Sequence, residues 1–397
     1  MKQDKSIIEA FDRKGFKEEK GKIQTQTIYI EDEHCKKNIS MTPIIKEIHS
    51  LSEFFELLKE LHDDNEFRLR ENGIKGGSVF FYRGQSDIKY LYNPSSLRKN
   101  DFIECEHLIF KEFHRRFYKL FDECKTSLEK EVHLQHYGAG SRCLDILENP
   151  LYALWAACES HNDEKTGKFG EVSFWCLDRK DDKLKTFDSS KVSVIANTAK
   201  MERDFSLKHL EIEYLKEHPT SLKDFIYLKD ILRTTAIVRP KYNNQRIINQ
   251  WSAFAIVNLN KMIDKNGEFK RHFGISVDDF SKFILESEEN INIQYIREGK
   301  VKIPGMKNIG ELTSLDICFR KVHFEEMPFV DSYDLYQYMY KKYSKNKNQI
   351  QPYYAVIPWK NKKDILKELE YLNITKSFIY PEKDKAGYDI KEIFGVG

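Results

Sequence analysis

Three separated stretches of this 397-residue chain set chemically able polar side chains directly against apolar runs. In FFYRGQSD, residues 80–87, three aromatics lead into Arg83, Gly84 and Gln85. In HLQHYGAGSRCLDILENP, residues 133–150, the polar set is His136, Tyr137, Arg142, Asp145 and Asn149. In NNQRIINQWSAFAIV, residues 243–257, Arg246 and Gln250 precede an apolar run. Burying a guanidinium or an amide costs free energy unless a partner compensates it. Three such placements point to side chains meeting in one pocket. Arginines beside the free N–H groups of a helix start suit an anion such as phosphate or pyrophosphate. A carboxylate and a histidine can move protons or stabilise developing positive charge. The local alternative is an Arg142–Asp145 pair holding a loop, with His136 as a satisfied structural histidine.

Positioning these groups requires particular elements. SVFFYRG reads as a strand that ends in Arg83, with Gly84 removing a side chain from the space beyond. Asn149 is a preferred N-cap and Pro150 a preferred first helical residue, so a helix starts there. Leu151, Leu154 and Trp155 give it a buried stripe, and Ala153, Ala156 and Ala157 allow close approach. The stretch from His136 to Asn149 reads as a loop aimed at that helix start, with turns at Gly138 and Gly140. KYNNQRIINQ is a polar helical turn, followed by the strand WSAFAIVNL.

Elsewhere, SEFFELLKELHDD places Phe54, Phe55, Leu57, Leu58 and Leu61 on a helical stripe. DFIECEHLIFKEFHRRFYKLFDEC reads as one long amphipathic helix through Ile109, Phe113, Phe117, Leu120 and Phe121. GEVSFWCLD, TAIVRP and YYAVIPW read as strands, and SFIYP as a short one. MERDFSLKHLEIEYLKEHP reads as a helix stopped by Pro219, and KKDILKELEYL, SVDDFSKFILES and DIKEIFG as further helices. The expected fold is α+β, with a mixed, largely antiparallel central sheet flanked by helices. The expected organisation is an N-terminal arm (1–49), a pocket-bearing core (50–260), an insertion or helical subdomain (261–349) and a returning strand and helix (350–397).

Composition narrows the function classes. Lys and Arg total 65 against 63 Asp and Glu, for a net charge of +2, so no global field favours nucleic acid or an anionic membrane. The seven cysteines form no CxxC pair and no cluster with histidine, so reduced thiols and no metal site are expected. The first residues, MKQDKSIIEAFDRKGF, hold no uninterrupted apolar run and no window approaches about 18 apolar residues, so neither a secretory leader nor a membrane span is expected. A cytoplasmic protein without a membrane partner is the expectation.

Taken together, FFYRGQSD, the stretch from His133 to Ala157 and NNQRIINQWSAFAIV resemble the FRG domain family, named for its Phe/Tyr-Arg-Gly motif. FIYPEKDKAGYDIKEIF is similar to that family's closing strand-turn-helix, with Pro381-Glu382-Lys383-Asp384-Lys385 where the family has Pro-Asp-x-Asp-Gly. The order of elements is also similar to ADP-ribosyltransferases, whose opening strand carries an Arg or His. That weaker resemblance implies NAD as substrate, with Arg83 on its phosphate or ribose and Tyr137 stacked on nicotinamide. It puts Gln250 where those enzymes carry a Glu, so Asp145 or Glu148 would supply the carboxylate. The residues expected to act are Arg83, His136, Asp145 and Gln250, with Gly84, Gln85, Tyr137, Arg142, Asn149 and Arg246 holding the ligand. The resulting expectation is an NAD-utilising effector or toxin, which the resemblance allows in phage defence, with a protein or nucleic-acid acceptor left open. The alternatives are a non-catalytic nucleotide-sensing module and a nucleic-acid-directed effector such as a nuclease.

Overall fold

The computed structural model describes residues 14–19, 22–32, 37–97, 100–181, 184–218, 235–257, 260–263, 318–321 and 349–379. Eight strands form a central sheet. In chain order they are β1 (Ile44–Glu47), β2 (Ser78–Gln85), β3 (Cys143–Leu147), β4 (Gly170–Asp178), β5 (Leu184–Thr186), β6 (Ala236–Arg239), β7 (Ser252–Ile256) and β8 (Tyr353–Ile357). Across the sheet the order is β1-β8-β4-β2-β3-β7-β6-β5. The outermost pairs, β1–β8 and β6–β5, are parallel. The inner pairs are antiparallel. The fold is therefore mixed α+β with a mostly antiparallel sheet, as the patterning implies. Ile44–Glu47, within the stretch read as an arm, is one of the sheet's two edge strands.

The helices used below are α1 (Leu51–Glu71), α2 (Asn100–Arg116), α3 (Tyr118–Glu123), α4 (Ser127–His136), α5 (Pro150–Cys158), α6 (Ser190–Asn197), α7 (Leu207–Glu217), α8 (Gln245–Gln250), α9 (Trp359–Glu370) and α10 (Lys376–Ile379). Strand alternation divides the core. Phe80 and Tyr82 of β2 join α1, α5 and α9 on one face, through Phe54, Leu57, Leu58, Leu61, Leu154, Trp155, Ile365 and Leu369. Val79 and Phe81 face the other way, with Leu144, Ile146, Trp175, Tyr354 and Phe16. A third cluster joins β3, β6 and β7 to α4, α6 and α7. Each fully buried side chain of this size contributes on the order of 1.5–3 kcal/mol.

Helix α5 lies unusually close to the sheet. A Cβ on Gly84 would stand 1.7 Å from the Ala153 carbonyl oxygen, and one on Gly170 would stand 2.3 Å from that of Ala157. Glycines on two neighbouring strands meet alanines on the helix, and this sets the helix–sheet distance.

Several local expectations change. The helix read from Ser52 starts one residue earlier, at Leu51, with Ser50 accepting from the Glu53 N–H, and Phe55 of its expected stripe is exposed. The long helix from Asp101 to Cys124 breaks at Phe117, whose φ −119, ψ 43 is not helical, so α2 and α3 are separate. The helix after Met201 begins at Leu207, capped by Ser206, because Asp204–Ser206 is a strand. SFIYP begins as helix α10 rather than as a strand. The expected helices SVDDFSKFILES and DIKEIFG lie outside the described residues, as does most of 261–349. Among the described residues no helix is long and apolar enough to cross a membrane.

Candidate functional site

The stretch read as a loop from His136 to Asn149 is largely regular. His136 ends α4, residues 143–147 form β3, and Asn149 caps α5 by accepting the Leu151 N–H at 3.0 Å. Strands β2 and β3 pair at one register position, Tyr82 opposite Leu147. Beyond it, the Arg83 guanidinium donates to the Asp145 carbonyl oxygen at 2.6 Å. A side-chain donor thus stands where a β2–β3 ladder bond would be, while β2 itself does not end at Arg83 as expected but continues to Gln85, paired with β4.

Above this junction lies a cavity of about 180 Å³. Its sheet side is Arg83, Gly84, Asp145 and Leu147. One face of α5 and its C-cap supplies Tyr152, Trp155, Ala156 and Glu159, at the helical spacing i, i+3, i+4, i+7. Arg246 and Gln250 of α8 and Ile379 of α10 complete it. It holds two guanidiniums and two carboxylates.

The Asp145 carboxylate is anchored on one side only. Oδ2 accepts from Gln135 Nε2 at 2.7 Å. The Gln135 amide is itself oriented, since its Oε1 accepts from Ser95 Oγ at 3.3 Å. Asp145 Oδ1 is buried and has no hydrogen-bond partner among the described residues. Buried polar atoms are rarely left so. Glu159 stands at the rim, exposed on one side. The surrounding walls still push its carboxyl above the usual range, against the opposing pull of Lys376 and Arg246.

Gln250 lines the cavity but is committed at both ends. Its Nε2 donates to the Ile379 carbonyl at 2.9 Å, and its Oε1 accepts from Ser252 Oγ at 3.2 Å. With Asn249 Nδ2 donating to the Phe378 carbonyl at 2.6 Å, it ties α10 to α8. Its role is to hold the cavity wall. Arg246 Nη1 donates to the His136 carbonyl at 2.9 Å, which fixes that guanidinium against the end of α4.

The other expected ligand residues lie elsewhere. His136 is buried behind Arg246, and burial followed by that positive charge holds its ring well below the usual histidine range, so it stays neutral. Tyr137 packs in an aromatic cluster with Phe113, Phe117 and His133, away from the cavity, and is not placed to stack on a ligand there. Gln85 faces the opposite side of the sheet, where Lys14 Nζ donates to its Oε1 at 3.3 Å and its Nε2 donates to the Leu91 carbonyl at 3.0 Å. Glu148, weighed as a carboxylate, is taken by Arg239 in a two-pronged contact at 2.7 and 2.9 Å.

Arg142 departs furthest from expectation. It is 1% exposed and pairs with Glu106 at 2.7 and 2.8 Å, not with Asp145. Lys321 Nζ reaches the same carboxylate at 2.7 Å. Beside them, Glu131 accepts from the Arg142 N–H and from Ser141 Oγ. Burial, then the neighbouring Glu106 charge, pushes Glu131 up to about 7. This cluster joins α2, α4 and the strand Cys318–Lys321, and it holds the fold rather than a ligand.

The cavity residues absent from the sequence expectation are Glu159, Tyr152, Trp155 (read as core) and, behind Asp145, Gln135. The helical spacing from Tyr152 to Glu159 was the signal available for the first three. A search of curated proteins and of solved structures finds no match to the chain. A family model does match residues 78–166, the segment that carries Arg83, Asp145 and the α5 wall: the chain contains an FRG domain.

Proposed function

We propose that the cavity takes the ribosyl-phosphate portion of a nicotinamide dinucleotide and that Asp145 assists cleavage of its N-glycosidic bond. The observation carrying this reading is Asp145 Oδ1, a buried carboxylate oxygen without a hydrogen-bond partner among the described residues, in a cavity shared with Arg83 and Arg246. Two guanidiniums match phosphate oxygens. A fixed carboxylate matches the positive charge that develops on a ribosyl carbon as its pyridinium leaves. The volume, about 180 Å³, is below the roughly 300–1,000 Å³ of whole-ligand pockets, so it suits one segment of the dinucleotide. Asp145 thereby takes the role that Gln250 cannot fill as a neutral amide tethered at both ends.

The test is nicotinamide release from NAD by the wild type and by Asp145→Asn. The substitution keeps shape and removes charge, so turnover falls by about 10²–10³-fold, while the melting shift produced by ADP-ribose persists. A wild type that ADP-ribose stabilises but that releases no nicotinamide would instead support a non-catalytic nucleotide-binding module. Equal turnover by both proteins would remove Asp145 from the mechanism.

A further inference from the structure

The structure assigns Glu159 a role nothing above gives it: it is the proton acceptor that activates the attacking water, which makes the pocket a glycohydrolase site with two carboxylates of different function. This inference rests on the nucleotide reading of the cavity. The two acids differ in depth and in surroundings. Asp145 is on the sheet side, one oxygen held by Gln135 and the other buried. Glu159 is at the far end of the α5 wall, open to solvent on one side. A ribosyl group between them would meet a fixed negative charge from the sheet and water from the rim. Paired acids whose environments set them apart divide nucleophile, acid and base roles in this way.

The groups facing Glu159 are Lys376 from α10 and Arg246 from α8, and both favour its charged form. Arg83 and Asp145 line the same cavity. Desolvation outweighs the two cations and raises its proton affinity. A carboxylate of raised basicity is the better proton acceptor.

The step balances without a further reactant. The bond between the ribosyl carbon and the pyridinium nitrogen breaks, and its electron pair leaves with nicotinamide, which becomes neutral. Asp145 faces the resulting cation. Water forms the new carbon–oxygen bond and gives its proton to Glu159, which releases it to solvent. The products are ADP-ribose, nicotinamide and one proton.

The experiment measures nicotinamide release against pH for the wild type, Glu159→Gln and Glu159→Asp, with ADP-ribose affinity measured for each. In the wild type, turnover rises with unit slope as Glu159 ionises and then levels. Glu159→Gln loses that slope and falls by about 10²–10⁴-fold, with ADP-ribose affinity within about threefold of the wild type. Glu159→Asp, which keeps the carboxylate, recovers part of the rate and the slope, and this separates proton transfer from a structural effect. Full activity in Glu159→Gln overturns the assignment while leaving the nucleotide reading in place. So does a wild type that binds ADP-ribose and never turns over. Absence of any ADP-ribose binding overturns both.

Discussion

Gly84→Ala is expected to be the most damaging single methyl group in the domain. The added carbon would sit 1.7 Å from the Ala153 carbonyl oxygen and 2.9 Å from the Ala157 N–H nitrogen. Both are backbone atoms, so no rotamer change relieves the contact. Either α5 lifts from the sheet or β2 bends. Lifting α5 opens the cluster around Tyr82, Leu154, Trp155 and Phe174 and also moves the cavity wall. Overpacking alone costs typically 1–3 kcal/mol, and a displaced helix adds lost burial, so a total above about 3 kcal/mol is expected. The protein should become insoluble or melt several degrees lower. Gly73→Asn is the control: that glycine has φ +63 with nothing within 4 Å of an added Cβ, and Asn visits this backbone region readily. Equal melting temperatures for Gly84→Ala and the wild type would show that α5 does not rest on β2 as described.

The second large effect belongs to the buried charges. Arg142→Met leaves Glu106 facing Lys321 alone and removes a cation from beside Glu131. Removing one partner of a buried ion pair costs about 3–5 kcal/mol, and the loss here should lie toward the low end because Lys321 still compensates Glu106. The loss in Arg142→Met/Glu106→Gln should be smaller than the sum of the two single losses, although Lys321 is then left without its carboxylate, and a double-mutant cycle reads the coupling. Additive losses would mean that the two residues do not share one interaction.

The same cluster carries a pH signature with a definite sign. Glu131 is raised in the folded chain from 4.5 to about 7. The native state therefore holds a proton that the unfolded chain has already lost across that window. The contribution is complete below pH 4.5 and disappears as pH rises through 7. It amounts to roughly 3 kcal/mol at 1.36 kcal/mol per unit. Glu131→Gln should flatten the fall in unfolding free energy between these limits. An unchanged slope would place the titrating group elsewhere.

These residues also show what local sequence does and does not disclose. Arg83 and Arg142 look alike in sequence: each is an arginine near glycine, beside an apolar run. One lines the cavity and the other is locked into an ion cluster. The difference is a partner: Glu106 lies 36 residues from Arg142, and Lys321 lies 215 residues from Glu106. Such separations leave no trace in a local pattern. Features set by neighbours were legible. Asn149 and Pro150 start α5, and SVFFYRG, GEVSFWCLD, TAIVRP, WSAFAIVNL and YYAVIPW each hold a strand, whereas β3 lies in a stretch read as a loop. Phe117 carries no breaker residue, so the division of α2 from α3 was not. SFIYP has strand-like composition, yet its first residues are helical, and Asn249 and Gln250 donate to the carbonyls of Phe378 and Ile379. Gln135 sits next to His136 in the sequence, but its importance lies in the fold that sets it against Asp145, which no local pattern discloses.

The most direct test of the central claim is a structure of the protein with ADP-ribose bound. The account predicts a phosphate within hydrogen-bonding distance of Arg83 or Arg246, the ribose beside Asp145 Oδ1, and Tyr152 and Trp155 against the ligand. ADP-ribose bound away from these residues, or an empty cavity in crystals soaked well above the measured dissociation constant, would contradict it.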